Sequence, residues 1–118
     1  MKKTTAAHLK IYKDEVLRLI EKYKLDQWEV HFVLVPKETS RAAILVNYEG
    51  RIVTFELASE WDNTIVKLTN AEVKLSAKHE VIELLLAPIS FLGSQRFGTE
   101  EEYNAAREEV VRKFEKIL

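Results

Sequence analysis

The segment His79-Glu80-Val81-Ile82-Glu83 sets an imidazole and two carboxyl groups within five residues of one another. Residues four apart lie one above the other on a helix, so His79 and Glu83 would point the same way, with Glu80 about 100° round from His79. Such a helix offers two ligands to one metal ion and a general base beside it. The surroundings sharpen the point. The segment turns apolar at Val81, and ionised groups at or inside an apolar run are costly to bury without a partner.

Other chemistries are thinly represented. The chain has no cysteine, which removes thiolate ligands, thiol nucleophiles and disulfides and leaves His, Asp and Glu to hold any metal. It shows no Gly-rich phosphate loop and no Ser/His/Asp arrangement. His31 falls on the strand face opposite Trp28 and Phe32, and His8 precedes the first helix; neither is assigned a role. Trp28 and Trp61 are expected to fill core or loop-anchoring positions.

The elements that would position this helix can be read from periodicity. Leu9, Tyr12, Val16, Leu19, Ile20 and Tyr23 recur at three- and four-residue steps and predict an amphipathic helix over 9–25. Trp28 to Val35 alternates in the manner of a strand and stops at Pro36. Arg41–Tyr48 and Ile52–Ala58 are two further strands joined by the short Glu49-Gly50-Arg51 turn, and a three-stranded antiparallel meander is the simplest sheet. A helix follows from about Ala71 to Ala87, with Asn70 as its N-cap and Pro88 to kink or close it. Gly93 to Gly98 reads as a loop. Thr99 with Glu102 forms a capping box that opens a last helix, whose Tyr103, Ala106, Val110, Phe114 and Ile117 line one side.

Size and charge narrow the class. A chain of 118 residues, 47% hydrophobic, buries one core, so residues 1–118 are expected to be a single α+β domain. Eighteen Lys and Arg against nineteen Asp and Glu give a net charge of -1, which supplies no general attraction to nucleic acid or an anionic membrane. The N-terminal segment is broken by His8, Lys10, Lys13 and Asp14 where a signal peptide needs an apolar run, and no apolar stretch approaches the roughly 20 residues that span a bilayer. A cytoplasmic location is the expectation.

From Ala77 to Pro88 the sequence resembles the active helix of the phage-type and prophage-type minimal gluzincin metallopeptidases, which reads His-Glu-x-x-His followed by leucines. The resemblance extends to the element order and implies a zincin-like fold: N-terminal helix, three-stranded mainly antiparallel sheet, active-site helix, and a C-terminal helix packed antiparallel to it. It implies peptide-bond hydrolysis by metal-activated water, with His79 as first zinc ligand, Glu80 as catalytic base and Glu83 where the family has its second histidine. The third ligand would be a glutamate of the last helix, for which Glu108 and Glu109 both qualify, with a lean toward Glu108. A peptide or protein substrate would lie along Ile52–Ala58 as an edge strand.

Glu83 is the departure. A carboxylate in place of the second imidazole cancels positive charge on the ion, weakens it as a Lewis acid, and shifts preference from Zn2+ toward Mn2+ or Mg2+. Two expectations follow. Either the site keeps a metal with altered or lost peptidase activity, or it holds none and the domain is a noncatalytic module that binds a protein partner through its sheet edge or its acidic helices.

Overall fold

A computed structural model describes residues 2–36, 40–62, 64, 66–95 and 98–117. The chain begins with a two-residue strand, β1 (Lys2–Lys3), and enters helix α1 (Ala6–Lys22) through a capping box. The Thr5 side chain accepts from the His8 amide at 3.2 Å, and His8 Nδ1 accepts from the Thr5 amide at 3.0 Å. His8 therefore sits inside the first helical turn rather than before it, because its ring can serve as the reciprocal cap. Tyr12, Val16, Leu19 and Ile20 form the buried stripe, as their spacing predicts.

Three strands make the main sheet: β2 (Glu29–Val35), β3 (Ala42–Asn47) and β4 (Ile52–Ala58). The β3–β4 hairpin forms antiparallel as expected, but the order is β2-β4-β3 and β2 runs parallel to β4. The meander is thus corrected to a mixed sheet. β2 and β3 flank β4 on opposite sides, and at the end of β4 the Ser59 amide donates to the Val35 carbonyl (2.7 Å) and the Ala58 amide to that of Arg41 (2.8 Å). The reason lies in the side chains. β4 has its alternate residues Val53, Phe55 and Leu57 fully buried, and a strand so apolar on one face is best served by partners on both edges. Ile52–Ala58 is therefore the central strand, and the edge strands are β2 and β3.

One face of this sheet receives α1 and helix α2 (Asn70–Leu85), which pack on each other. Tyr12 meets Phe32 and Phe55 edge-on at 6.4 and 6.5 Å, and Phe32 stacks on Phe55. Trp28 and Trp61 are buried, Trp61 within a short strand β5 (Glu60–Trp61) that pairs with β1. Thr69, one residue before the expected Asn70, caps α2 by accepting from the Glu72 amide at 3.2 Å.

Pro88 closes α2 and stands in the first turn of a further helix, α3 (Ala87–Ser94), where its missing amide hydrogen leaves no bond unmade. Gly93 and Ser94 accordingly belong to a helix and not to the expected loop. Helix α4 (Glu100–Ile117) opens with the Thr99/Glu102 capping box, Glu102 donating its amide to Thr99 Oγ1 at 3.1 Å. It packs chiefly on α3, not antiparallel on α2. Its inward side carries Val110 and Lys113 with Ala106, Glu109 and Ile117 half-buried, while Tyr103 and Phe114 are exposed. Among the described residues no helix is long and apolar enough to cross a membrane.

Candidate metal centre

Helix α2 has three functional directions. Val73, Ala77, Val81, Leu84 and Leu85 go to the core. His79 and Glu83, one turn apart, lie on the flank with side chains 69% and 52% exposed, and His79 Nε2 is 3.3 Å from Glu83 Oε1. Glu80 turns inward and is 5% exposed. These three each bring one ligand atom within 4.8 Å of the others. Two ligands of one divalent ion at metal–ligand distances of about 2.1 Å lie at most about 4.2 Å apart, so a small rotation of the exposed His79 and Glu83 side chains would close the set.

Glu80 is the least comfortable member. Among the described residues its Oε2 has no hydrogen-bond partner. Burial, then the neighbouring Glu83 charge, push its carboxyl up to about 7 against the opposing pull of His79. The same interior raises the Tyr12 hydroxyl, by burial first and by the nearby Glu80 and Glu56 charges after it. Tyr12 directs its own donor to the Glu56 carbonyl at 3.2 Å and not to Glu80 Oε2.

Glu108 and Glu109 do not join the cluster. Glu108 faces outward from α4. Glu109 faces inward, so the inward residue is Glu109 and not Glu108, but it is taken up elsewhere. Its Oε1 accepts from the Tyr48 hydroxyl at 3.1 Å, and its Oε2 accepts from Lys113 Nζ at 3.0 Å with Arg51 Nη1 at 3.6 Å. Burial alone would raise the Glu109 carboxyl; the bonds from Lys113 and Tyr48 and the charge of Arg51 outweigh it and hold the group below the usual carboxylate range. Arg51, at φ 55°, lays its guanidinium over the rings of Tyr48 (4.1 Å) and Trp28 (5.4 Å). Lys113 is only 7% exposed, which its ion pair with Glu109 makes tolerable.

This second network went unseen in the sequence. Tyr48 and Glu109 are 61 positions apart, and no local pattern joins them. A groove of about 510 Å3 runs from Glu83 past Leu86 and Phe91 to Ile44, Val46 and Tyr48, and Glu83 is the member of the cluster that borders it. His31 lies on the outer face of the sheet, bonded to Glu29 at 2.7 Å and remote from the cluster's helix.

One imidazole and two carboxyls form a donor set suited to a hard or borderline divalent cation, and the orphaned Glu80 oxygen is an interior position that such an ion, or a proton, would satisfy. Comparison with protein-family models, curated proteins and solved structures gives no match to this chain.

Proposed function

We propose that this chain is a zincin-like domain, of the minimal gluzincin kind, that binds a divalent cation at His79, Glu80 and Glu83 and whose peptide hydrolysis is weak or lost. The observation that carries the reading is the convergence of those three side chains on one helix, with an interior Glu80 oxygen that has no hydrogen-bond partner among the described residues. A bound cation would supply positive charge and Lewis acidity to a carbonyl. His79 and Glu83 would hold it from the exposed side. Glu80 would face the ion with one carboxyl oxygen, and the other, in a carboxyl pushed up to about 7, would take or give a proton.

Attenuation follows from the donors. Glu83 lowers the net charge that a second imidazole would leave, and Glu109 is occupied by Tyr48 and Lys113. Zn2+ and Mn2+ are both accommodated by the set, with the carboxylates favouring Mn2+ more than a two-histidine site would. A peptide would lie along β3, the edge beside α2, and not along the central strand β4. The test is the metal content of the purified protein, together with its affinity for Zn2+ and Mn2+ before and after His79→Ala. Binding lost with the imidazole supports the reading, and binding indifferent to it contradicts the reading.

A further inference from the structure

We infer that two copies of this chain pair antiparallel through strand β3, with Leu45 on the two-fold axis. The pairing stands whether or not a cation binds at α2.

The two edges of the sheet are guarded unequally. β2 carries Glu29 and His31 on its outer face and is followed directly by Pro36, devices that discourage strand addition. β3, Ala42-Ala43-Ile44-Leu45-Val46-Asn47, contains no charged residue and no proline. Its Leu45 is 60% exposed on the outer face, and Val46 is exposed toward the inner one.

The backbone of β3 has unmet capacity in a definite pattern. The Ala58 amide bonds the Arg41 carbonyl, and antiparallel pairing alternates, so Ala43, Leu45 and Asn47 bond to β4. The amides and carbonyls of Ala42, Ile44 and Val46 then face away from the sheet. A second β3 related by a two-fold through Leu45 meets that pattern: Ile44 of each copy comes opposite Val46 of the other, and Leu45 opposite Leu45. Inner-face side chains stay on the inner face, where Ile44 and Val46 of the second copy enter the groove lined by Leu86, Phe91 and the first copy's own Ile44 and Val46.

Charge selects this register and a second copy as occupant. A two-fold at Leu45 brings the Arg41 end of each strand to the Glu49 turn of the other, one opposite-charge contact at either end, and sets no like charges across the strand. Slipping the axis to Ile44 would put Arg41 opposite the uncharged Asn47. The arrangement makes one continuous six-stranded sheet from two copies of β2-β4-β3 and covers the groove beside Glu83, so self-pairing and peptide entry exclude each other.

Sedimentation equilibrium of the full chain tests this. The wild type is expected to dimerise with rising concentration. Leu45→Lys and Leu45→Glu are each expected to sediment as monomers, with the dissociation constant raised at least about tenfold and the fold unchanged by circular dichroism, because Leu45 packs against little in the single copy. An equimolar mixture of the two variants is expected to recover the dimer, since lysine then faces glutamate across the axis. A wild type that remains monomeric to roughly 0.5 mM overturns the proposal and leaves the edge to a peptide. A Leu45→Lys variant that still dimerises, or a mixture that does not, overturns it equally.

Discussion

The Tyr48 hydroxyl donates to Glu109 Oε1 at 3.1 Å, joining the turn after β3 to the middle of α4. With Lys113 at 3.0 Å and Arg51 at 3.6 Å from the other oxygen, this bond decides the fate of the last helix: it is fastened to the end of the sheet, and its acid is committed to holding it there. The family resemblance would have this helix supply a ligand to α2.

Removing the acid should therefore cost stability. Glu109→Ala leaves Lys113 buried without its counter-ion and Tyr48 without an acceptor, and about 1–3 kcal/mol is expected in urea unfolding. Tyr48→Phe should cost about 1 kcal/mol. Because the Glu109 carboxyl is depressed in the folded state, its contribution is present above the ordinary carboxylate value of 4.5 and disappears as pH falls below it. A Glu109→Ala variant within about 0.3 kcal/mol of wild type at pH 7 would show the network to be ornamental.

Glu80 has the opposite pH signature. Its folded carboxyl stands at about 7, above the ordinary 4.5, so the folded state holds the proton more tightly than the unfolded chain. Stability from this group is full below pH 4.5 and falls as pH rises through 7, by roughly 2–3 kcal/mol. In the presence of a chelator, Glu80→Gln should raise the melting temperature at pH 8 and change it little at pH 4.5. Equal shifts at both values would mean that the group is solvated and not strained.

Helix periodicity exposed what was local. The stripe of α1, the β3–β4 hairpin and the Thr99/Glu102 cap all follow from residues within a few positions of each other, and so does the mutual approach of His79, Glu80 and Glu83. What escaped depends on distant partners. Whether Ile52–Ala58 is central or at an edge turns on a parallel pairing with Glu29–Val35, which short-range alternation does not encode. The apolar string Ala87-Pro88-Ile89 reads as the close of one helix because Pro88 breaks it, although the same proline suits the start of α3. Spacing puts Phe114 on the apolar side of α4, yet it is exposed, while Lys113 is buried because Glu109 gives it an interior partner.

Restoring the second imidazole separates geometry from chemistry. Glu83→His keeps the side chain on the flank beside His79 and should tighten Zn2+ at least about tenfold, measured by competition with a chromophoric chelator. Unchanged affinity would show that positions 79 and 83 do not converge on one ion.

Substitution of the last helix should leave the ion alone. Glu108→Ala and Glu109→Ala are each expected to alter Mn2+ and Zn2+ affinity by less than about threefold, since neither carboxyl belongs to the cluster on α2. A loss of tenfold or more in either would return the last helix to the coordination sphere.

Thermal unfolding with Mn2+, with Zn2+ and with a chelator, on wild type and His79→Ala in parallel, bears most directly on the cation site. A cation at about a hundred times its dissociation constant should stabilise the folded wild type by about 2.7 kcal/mol, a rise of roughly 10 °C, and the rise should vanish in His79→Ala. A wild type that melts at the same temperature in all three conditions would contradict cation binding at His79, Glu80 and Glu83.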